Sequence, residues 1–534
     1  MENISLIVML LFGITFLAVI TNKYRFPFPI ALVLCGVAIS LVPGLPVISL
    51  QPEIVFLLFL PPLLYGAAWN TSWHDFKANK RPIILAGIGL VLFTTSLIAL
   101  AAHTIIPGIS WPLAFLLGAI VSPPDAVAAT SITKGLGLHP RIIAILEGES
   151  LVNDASGLIA YKYALVAMMA ANFTLWQAGI NFLGVVAAGV GIGLLIGYIM
   201  YQVHKNFICD PIVEVTLTFL TPFAAYLLAE HFHVSGVLAV VTTGLYLSFR
   251  SGEIFTHQSR IMAYAVWDVV VFVLNGLIFI LIGLQLRSVM QGISGYPGST
   301  LLFYGIIISV VTIAVRFIWT IPAALLPRIV SKRIREKESF DRRNMVIFGW
   351  AGMRGVVSMA AALAIPLTMA DGSKFPMRDL LIFLTFFVIL VTLVLPGLTL
   401  PWLIRRLKLP RHSIVDEEYE VRTHIVSSTS NHIEEKLSGL KPELLANIKN
   451  KYEVKYNRLQ RTELPAGYFA GTTTAPAASI FNELNKVQLD LIGVERDNLQ
   501  QLHRNGKASE EIIRKIEREL DLEEAKLRME LYEE

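Results

Sequence analysis

Apolar stretches close to twenty residues long follow one another from Ile4 to about Leu403, separated by short polar or Gly/Pro-containing breaks. A helix of about 20 apolar residues crosses a hydrocarbon core of roughly 30 Å. The pattern therefore predicts an all-α polytopic membrane protein of about thirteen transmembrane helices. Spans are expected near 4–22, 27–43, 52–69, 82–106, 111–133, 141–171, 176–203, 211–230, 234–249, 264–286, 299–326, 345–369 and 379–403. The sixth is long enough to tilt or to extend beyond the bilayer. This sets residues 1–409 as a transmembrane domain and 410–534 as a separate C-terminal region.

Loop charge tests the count. Loops 1–2, 3–4, 5–6, 7–8, 9–10 and 11–12 carry seventeen Lys and Arg, Arg141 at the edge of span 6 included, whereas the N-terminus and the six alternate loops carry three. Basic residues remain cytoplasmic, which puts the N-terminus outside and the C-terminus in the cytoplasm of a bacterial-type (inner) membrane. A wrong number of spans would scramble this asymmetry. The chain start lacks a basic segment and a small-residue cleavage site, so it reads as a retained first span rather than a removed signal.

Composition agrees. The 534 residues are 54% hydrophobic and 16% charged, against about 25% charged in a soluble protein, and the mean hydropathy is +0.62. A net charge of +4 gives no reason to expect a nucleic-acid partner. Cys35 and Cys209 are too few and too far apart for a disulfide framework or a thiolate metal site, and both read as packing residues. In the tail, Gly467–Ser479 reads as a linker, followed by helices over Ile480–His503 and Glu510–Leu531 joined at Asn505-Gly506. Ser509 suits an N-cap. Ile513, Ile516, Leu520 and Leu527 form an apolar stripe that fits a solvated helical hairpin or a dimerising or regulatory module.

Charges within membrane helices are costly and mark ion paths or internal pairs. Asp125 falls in span 5, Glu147, Glu149 and Asp154 in span 6, Arg316 in span 11 and Arg354 in span 12. A structural pair or a snorkelling end accounts for Lys162, Glu214 and Asp268. In span 5 the run Ser122-Pro123-Pro124-Asp125 removes two consecutive backbone donors. The helix should break there, leaving free carbonyls beside a carboxylate. Such backbone survives at membrane depth only where it is buried in protein or lines a cavity. In span 6, Ser150 and Asp154 are four residues apart and share a face, while Glu149 and Asn153 share the neighbouring edge. The cluster is rich in oxygen and contains neither thiol nor imidazole, which suits an alkali cation or a proton rather than zinc. Asp154, Asp125 and Ser150 are its candidate ligands. In span 12, Gly349, Gly352 and Gly355 flank Arg354 and predict a second interrupted helix. Spans 5 and 12 are seven apart, so spans 1–6 and 8–13 would form an inverted repeat with a midplane site between two broken helices.

Three segments, SPPDAVAA, LEGESLVNDASG and GWAGMRGVVSMAAALAIP, together resemble the monovalent cation/proton antiporter family in its bacterial Na⁺/H⁺ exchanger, NhaP-like branch. The likeness runs over residues 1–410, supported by LPPLL at Leu60–Leu64 and by Ala229–Gly244. The resemblance implies a secondary antiporter, not an enzyme, that exchanges Na⁺, or K⁺ or Li⁺, for H⁺ without a cofactor. It implies that Asp154 is shared in turn by cation and proton. Asn153 would be the neutral member of an Asn-Asp pair marking electroneutral exchange. Ser150, Asp125 and the Pro124 carbonyl would be further ligands. Glu149 would pair with Arg354, and Arg316 would support the core. The implied assembly is a homodimer in lipid. One departure stands out: several relatives carry an acid in span 3 after LPPLL, where this chain reads Tyr65-Gly66-Ala67-Ala68.

Two other functions fit parts of this pattern. A proton-coupled organic-anion symporter would need Arg316 or Arg354 free to meet an anion. An intramembrane aspartyl hydrolase built on Asp125 and Asp154 would share a proton between them, but the chain lacks a Gly-x-Gly-Asp run. Gly189, Gly193 and Gly197 lie inside an apolar helix and read as packing residues. With no glycine loop after a strand, no nucleotide is expected.

Overall fold

The computed structural model describes residues 2–24, 26–42, 55–133, 138, 140–169, 175–207, 210–293, 295–330, 342–369, 372–407, 414–437, 439–459, 478–505 and 508–532. Cys209, Gly506 and most of the linker expected at 467–479 lie outside them. The chain is helical, with no strand among the described residues.

Two compact units form. The first comprises Met1–Ile254 and Ala265–Arg411, the second Phe255–Tyr264 and His412–Glu534. In chain order the first contains α1 (Glu2–Tyr24), α2 (Phe28–Ser40), α3 (Leu60–Asn70), α4 (Val91–Ile105), α5 (Trp111–Val121), α6 (Ala126–Thr133), α7 (Pro140–Met169) and α8 (Leu175–Phe207). It continues through α9 (Pro211–His231), α10 (Gly236–Ile254), most of α11 (His257–Leu284), α12 (Gly298–Val330), α13 (Arg342–Trp350), α14 (Val356–Leu363) and α15 (Arg378–Leu407). Each of the thirteen expected intervals holds helix. Among the described residues, seven helices are long and apolar enough to cross a membrane, and Phe28–Ser40, Phe56–Asn70 and Trp111–Val121 are shorter apolar ones. The intervals for spans 5 and 12 each hold two short helices, α5/α6 and α13/α14, separated by non-helical residues.

Prolines and small residues explain the local irregularities. Pro61 and Pro62 open α3, where missing amide donors cost least, and the turn before them, Val55–Phe59, widens to π-helix. Gly193 and Gly197 let α8 lie against α10. A Cβ at Gly193 would meet the Ala239 carbonyl at 2.5 Å and Thr242 at 2.7 Å, and one at Gly197 would meet Tyr246 at 2.9 Å. The Thr243 hydroxyl donates to the Gly193 carbonyl across the same contact at 2.9 Å. Helix packing, not nucleotide binding, thus accounts for this stripe. The outer faces of α1 and α8 carry large apolar side chains, Phe12, Phe16, Leu183 and Leu195 among them, as a lipid solvent requires.

The second unit holds four tail helices, α16 (Ile414–Lys436), α17 (Pro442–Leu459), α18 (Ala478–Arg504) and α19 (Glu510–Tyr532). The two-helix hairpin expected from sequence is therefore half of the arrangement. Ile513, Ile516, Leu520 and Leu527 are buried with Val421, Ile425 and Leu499. Arg260, at the start of α11, is buried in this unit. It donates to both Asp521 oxygens at 2.8 and 2.9 Å, and Asp521 accepts a further bond from Arg496 at 2.7 Å.

Candidate functional site at two broken helices

The Pro123-Pro124 pair ends α5 at Val121, and the chain resumes helix only at Ala126. The second break runs from Ala351 to Gly355, ahead of α14. The two breaks are joined to each other. The Asp125 amide donates to the Met353 carbonyl at 2.7 Å. Arg354, 2% exposed, spends its guanidinium on carbonyls freed by the interruptions, donating to Val121 at 3.0 Å, Ser122 at 3.3 Å and Gly352. Its amide donates to the Thr392 hydroxyl of α15. A buried arginine thus satisfies backbone that neither water nor helix can reach.

Glycine is required at the meeting point. A Cβ at Gly355 would fall on the Asp125 carboxylate, and one at Gly157 of α7 would fall on the Pro123 ring. These two close approaches seat α7 against one break and Asp125 against the other.

The α7 residues divide as their spacing foretells. Ser150 and Asp154 face a cavity of about 50 Å³, lined also by Pro123, Asp125, Gly355 and Ser358. One water needs roughly 10–15 Å³, so the space admits an alkali cation with a few waters. Glu149 and Asn153 point elsewhere. Asn153 is fully buried and its amide donates to the Pro124 carbonyl at 2.9 Å. Pro124 and Asn153 therefore bond to each other behind the cavity, while Asp125, Ser150 and Asp154 share its wall.

The expected Glu149–Arg354 pair is corrected. Glu149 is held bidentately by Arg316 of α12, at 2.6 and 2.8 Å, with side chains 1% and 2% exposed. Arg316 also donates to the Phe348 carbonyl at 3.0 Å and lies over the Phe348 ring at 4.6 Å. Sequence offered two arginines for one glutamate. The carbonyls freed at both breaks claim Arg354 and leave Arg316 to the carboxylate. Of the charges set aside as structural, Lys162 pairs with Glu230 at 3.2 Å, and Glu214 lies buried 3.5 Å from His204.

Two wall residues escaped the sequence reading, Ser358 of α14 and Asn275 of α11. Asn275 sits mid-helix in an apolar run and could have been found by extending the search from charged to neutral polar side chains. Ser358 gives no comparable signal, because serine is common in membrane helices. Ala67 of α3 also lines the cavity, so the acid-free stretch after LPPLL contributes an apolar wall.

Two interrupted helices meeting at Asp125, beside the buried Asp154, define a membrane transport protein of the secondary type. Residues 7–406 match the transmembrane region of the sodium/hydrogen exchangers, and the chain belongs to that family, whose members are transporters rather than enzymes. It is 30% identical to an uncharacterized Na⁺/H⁺ exchanger of Mycobacterium bovis, over 98% of this chain and 96% of that one. It is also 30% identical to a sodium, potassium, lithium and rubidium/H⁺ antiporter of Bacillus pumilus, over 94% of this chain and 74% of that one. The fold matches the sodium/proton antiporter MjNhaP1 of Methanocaldococcus jannaschii with a TM-score of 0.59 and 20% identity, over 76% of this chain and 99% of that one.

Proposed function

We propose that this protein exchanges one monovalent cation, Na⁺ or alternatively K⁺ or Li⁺, for one proton, with both competing for Asp154. The observation that carries this reading is the shared cavity of Asp154, Asp125 and Ser150 at the meeting of two helix breaks. Hard cations take oxygen ligands, and a carboxylate that has released its cation is left as a buried bare charge, which a proton or another cation neutralises before the site changes sides. If the cavity opens to one side at a time, competition alone couples the two fluxes.

Asn153 stays neutral, with its amide engaged by the Pro124 carbonyl. One titrating carboxylate in the α7 pair then swaps one charge for one charge, so the cycle moves none. Residues 1–409 carry the exchange, and 410–534 form a cytoplasmic helical region. The loop charge supports an outside N-terminus and an inside C-terminus in a bacterial inner membrane, and the family resemblance supports a homodimer. Anion symport is disfavoured because Arg316 holds Glu149 and Arg354 holds three carbonyls.

The test is reconstitution into proteoliposomes with an imposed pH gradient. Na⁺, K⁺ or Li⁺ should dissipate the gradient and organic anions should not. A membrane potential supplies about 2.3 kcal/mol per 100 mV for each charge moved, so clamping it at zero should leave the final cation and proton distribution unchanged. Dissipation driven by anions, or a distribution that follows the potential, overturns the reading.

A further inference from the structure

Most buried hydroxyls in the transmembrane helices are spoken for within their own helix. Ser156, Thr312, Thr385 and Thr392 each donate to the carbonyl four residues earlier. Ser358 cannot do so. It is the third residue of α14, whose N-cap is Gly355, so the carbonyl four residues back belongs to Arg354 in the break. Ser358 is 1% exposed, and its Oγ has no hydrogen-bond partner among the described residues. A buried hydroxyl without a partner is destabilising and calls for an explanation.

Its position supplies one. Ser358 lines the same cavity as Asp125, Ser150 and Asp154. The α3 wall of that cavity, Leu60, Leu63, Leu64 and Ala67, offers no side-chain oxygen. We infer that Ser358 Oγ is a ligand of the transported cation, contributed by α14 alongside the α7 carboxylate.

A hydroxyl differs from a carboxylate in a way that matters for exchange. Its lone pairs bind a hard cation, but it takes up no proton at physiological pH. Ser358 would therefore strengthen cation binding without strengthening proton binding, tilting the competition at Asp154 towards the cation. This rests on the reading that the Asp154 cavity is the exchange site.

The full-length protein in proteoliposomes tests it, with Na⁺ and K⁺ titrated separately at alkaline pH, where protons compete least. Losing one charge-assisted ligand contact should raise the apparent KM for the cation roughly tenfold in Ser358→Ala, with maximal rate nearly unchanged. The pH at which protons outcompete a fixed cation concentration should rise accordingly. Ser358→Cys keeps the side-chain volume but offers sulfur, a poor partner for hard cations, and should behave as Ser358→Ala does. Ser358→Thr keeps the hydroxyl and should stay near wild type. A wild-type cation KM in both the alanine and cysteine variants overturns the assignment. So does an equal defect in Ser358→Thr, which would mark a packing role. Absence of exchange in the wild type would instead remove the underlying reading, and this inference with it.

Discussion

Arg316 and Glu149 meet as a fork-on-fork ion pair between α12 and α7, with nitrogen–oxygen distances of 2.6 and 2.8 Å and almost no solvent contact. The pair ties the helix that carries Asp154 to α12 from the edge of α7 next to the cavity-facing one, outside the cavity lining. Removing one partner of such a pair typically costs about 3–5 kcal/mol, because the other charge is left buried and alone. Arg316→Ala and Glu149→Ala should each lower the melting temperature of detergent-purified protein, and the double variant should lose much less than their sum. The cycle between Glu149 and Arg354 should show far weaker coupling. Strong 149–354 coupling with near-additive 149–316 effects would contradict the pairing described here.

At the meeting of the breaks, a Cβ on residue 355 would occupy the place of the Asp125 carboxylate. Gly355→Ala must therefore displace Asp125 or the α14 start. Misplacing a reacting group by about 1 Å can cost roughly a hundredfold in rate, and a loss of that order is expected in initial exchange rate. Gly191→Ala makes the control, since nothing lies within 4 Å of its new methyl group. Equal activities for the two variants would show that Asp125 need not sit where the glycine lets it.

The contrast between these residues shows what sequence could and could not reveal. The double proline at Pro123 and Pro124 announces a break through the loss of amide donors, and the i, i+4 spacing of Ser150 and Asp154 foretells their common face. Both are local facts, legible without coordinates. The partner of Glu149 depends on which of two distant arginines the broken backbone consumes, and no local pattern encodes that choice. Ser358 stayed hidden for a related reason. Its missing back-bond follows from where α14 starts, at Val356, only two residues before it. In the tail, the stripe from Ile513 to Leu527 marks a buried face, but not that α16 packs on it or that α17 joins α16 and α18 in a second apolar cluster.

The tail has its own electrostatic lock. Asp521 is 2% exposed and accepts from both Arg260 and Arg496. Asp521→Ala leaves two arginines without their shared anion, so amide exchange in α18 and α19 should accelerate strongly. Acid should act in the same direction. Burial raises the Glu523 and Glu524 carboxyls, but hydrogen bonds from Lys451 to the first and from Arg496 and Arg528 to the second outweigh it, and both end below their ordinary value. Groups lowered on folding contribute stability above the unfolded carboxylate pKa, about 4.3. That contribution is lost as pH falls through the lower, folded value. Protection in these helices should thus be flat from pH 7 to 5 as far as these groups are concerned, and decline below about 4.3. Protection unchanged by Asp521→Ala would show that the buried cluster does not hold the tail together.

The sharpest expectation concerns Asp154. Cation and proton compete for its carboxylate in the proposed cycle, while Asp125, Ser150 and Ser358 surround the same space. Asp154→Asn keeps the shape and the hydrogen-bonding capacity but neither binds nor releases a proton in this range. It should fold, reach the membrane and exchange no alkali cation. In the wild type, competition requires the apparent KM for the cation to rise as pH falls. The rise approaches tenfold per unit once the site is mostly protonated, because each unit multiplies the competing proton concentration by ten, about 1.4 kcal/mol. On the alkaline side the constant should level off at the cation's own affinity. Initial rates over a matrix of cation concentration and pH measure both limbs. Coupled exchange surviving in a well-folded Asp154→Asn protein would move the competition to another group. A cation constant that stays flat while the site titrates would mean that proton and cation do not share a carboxylate at all.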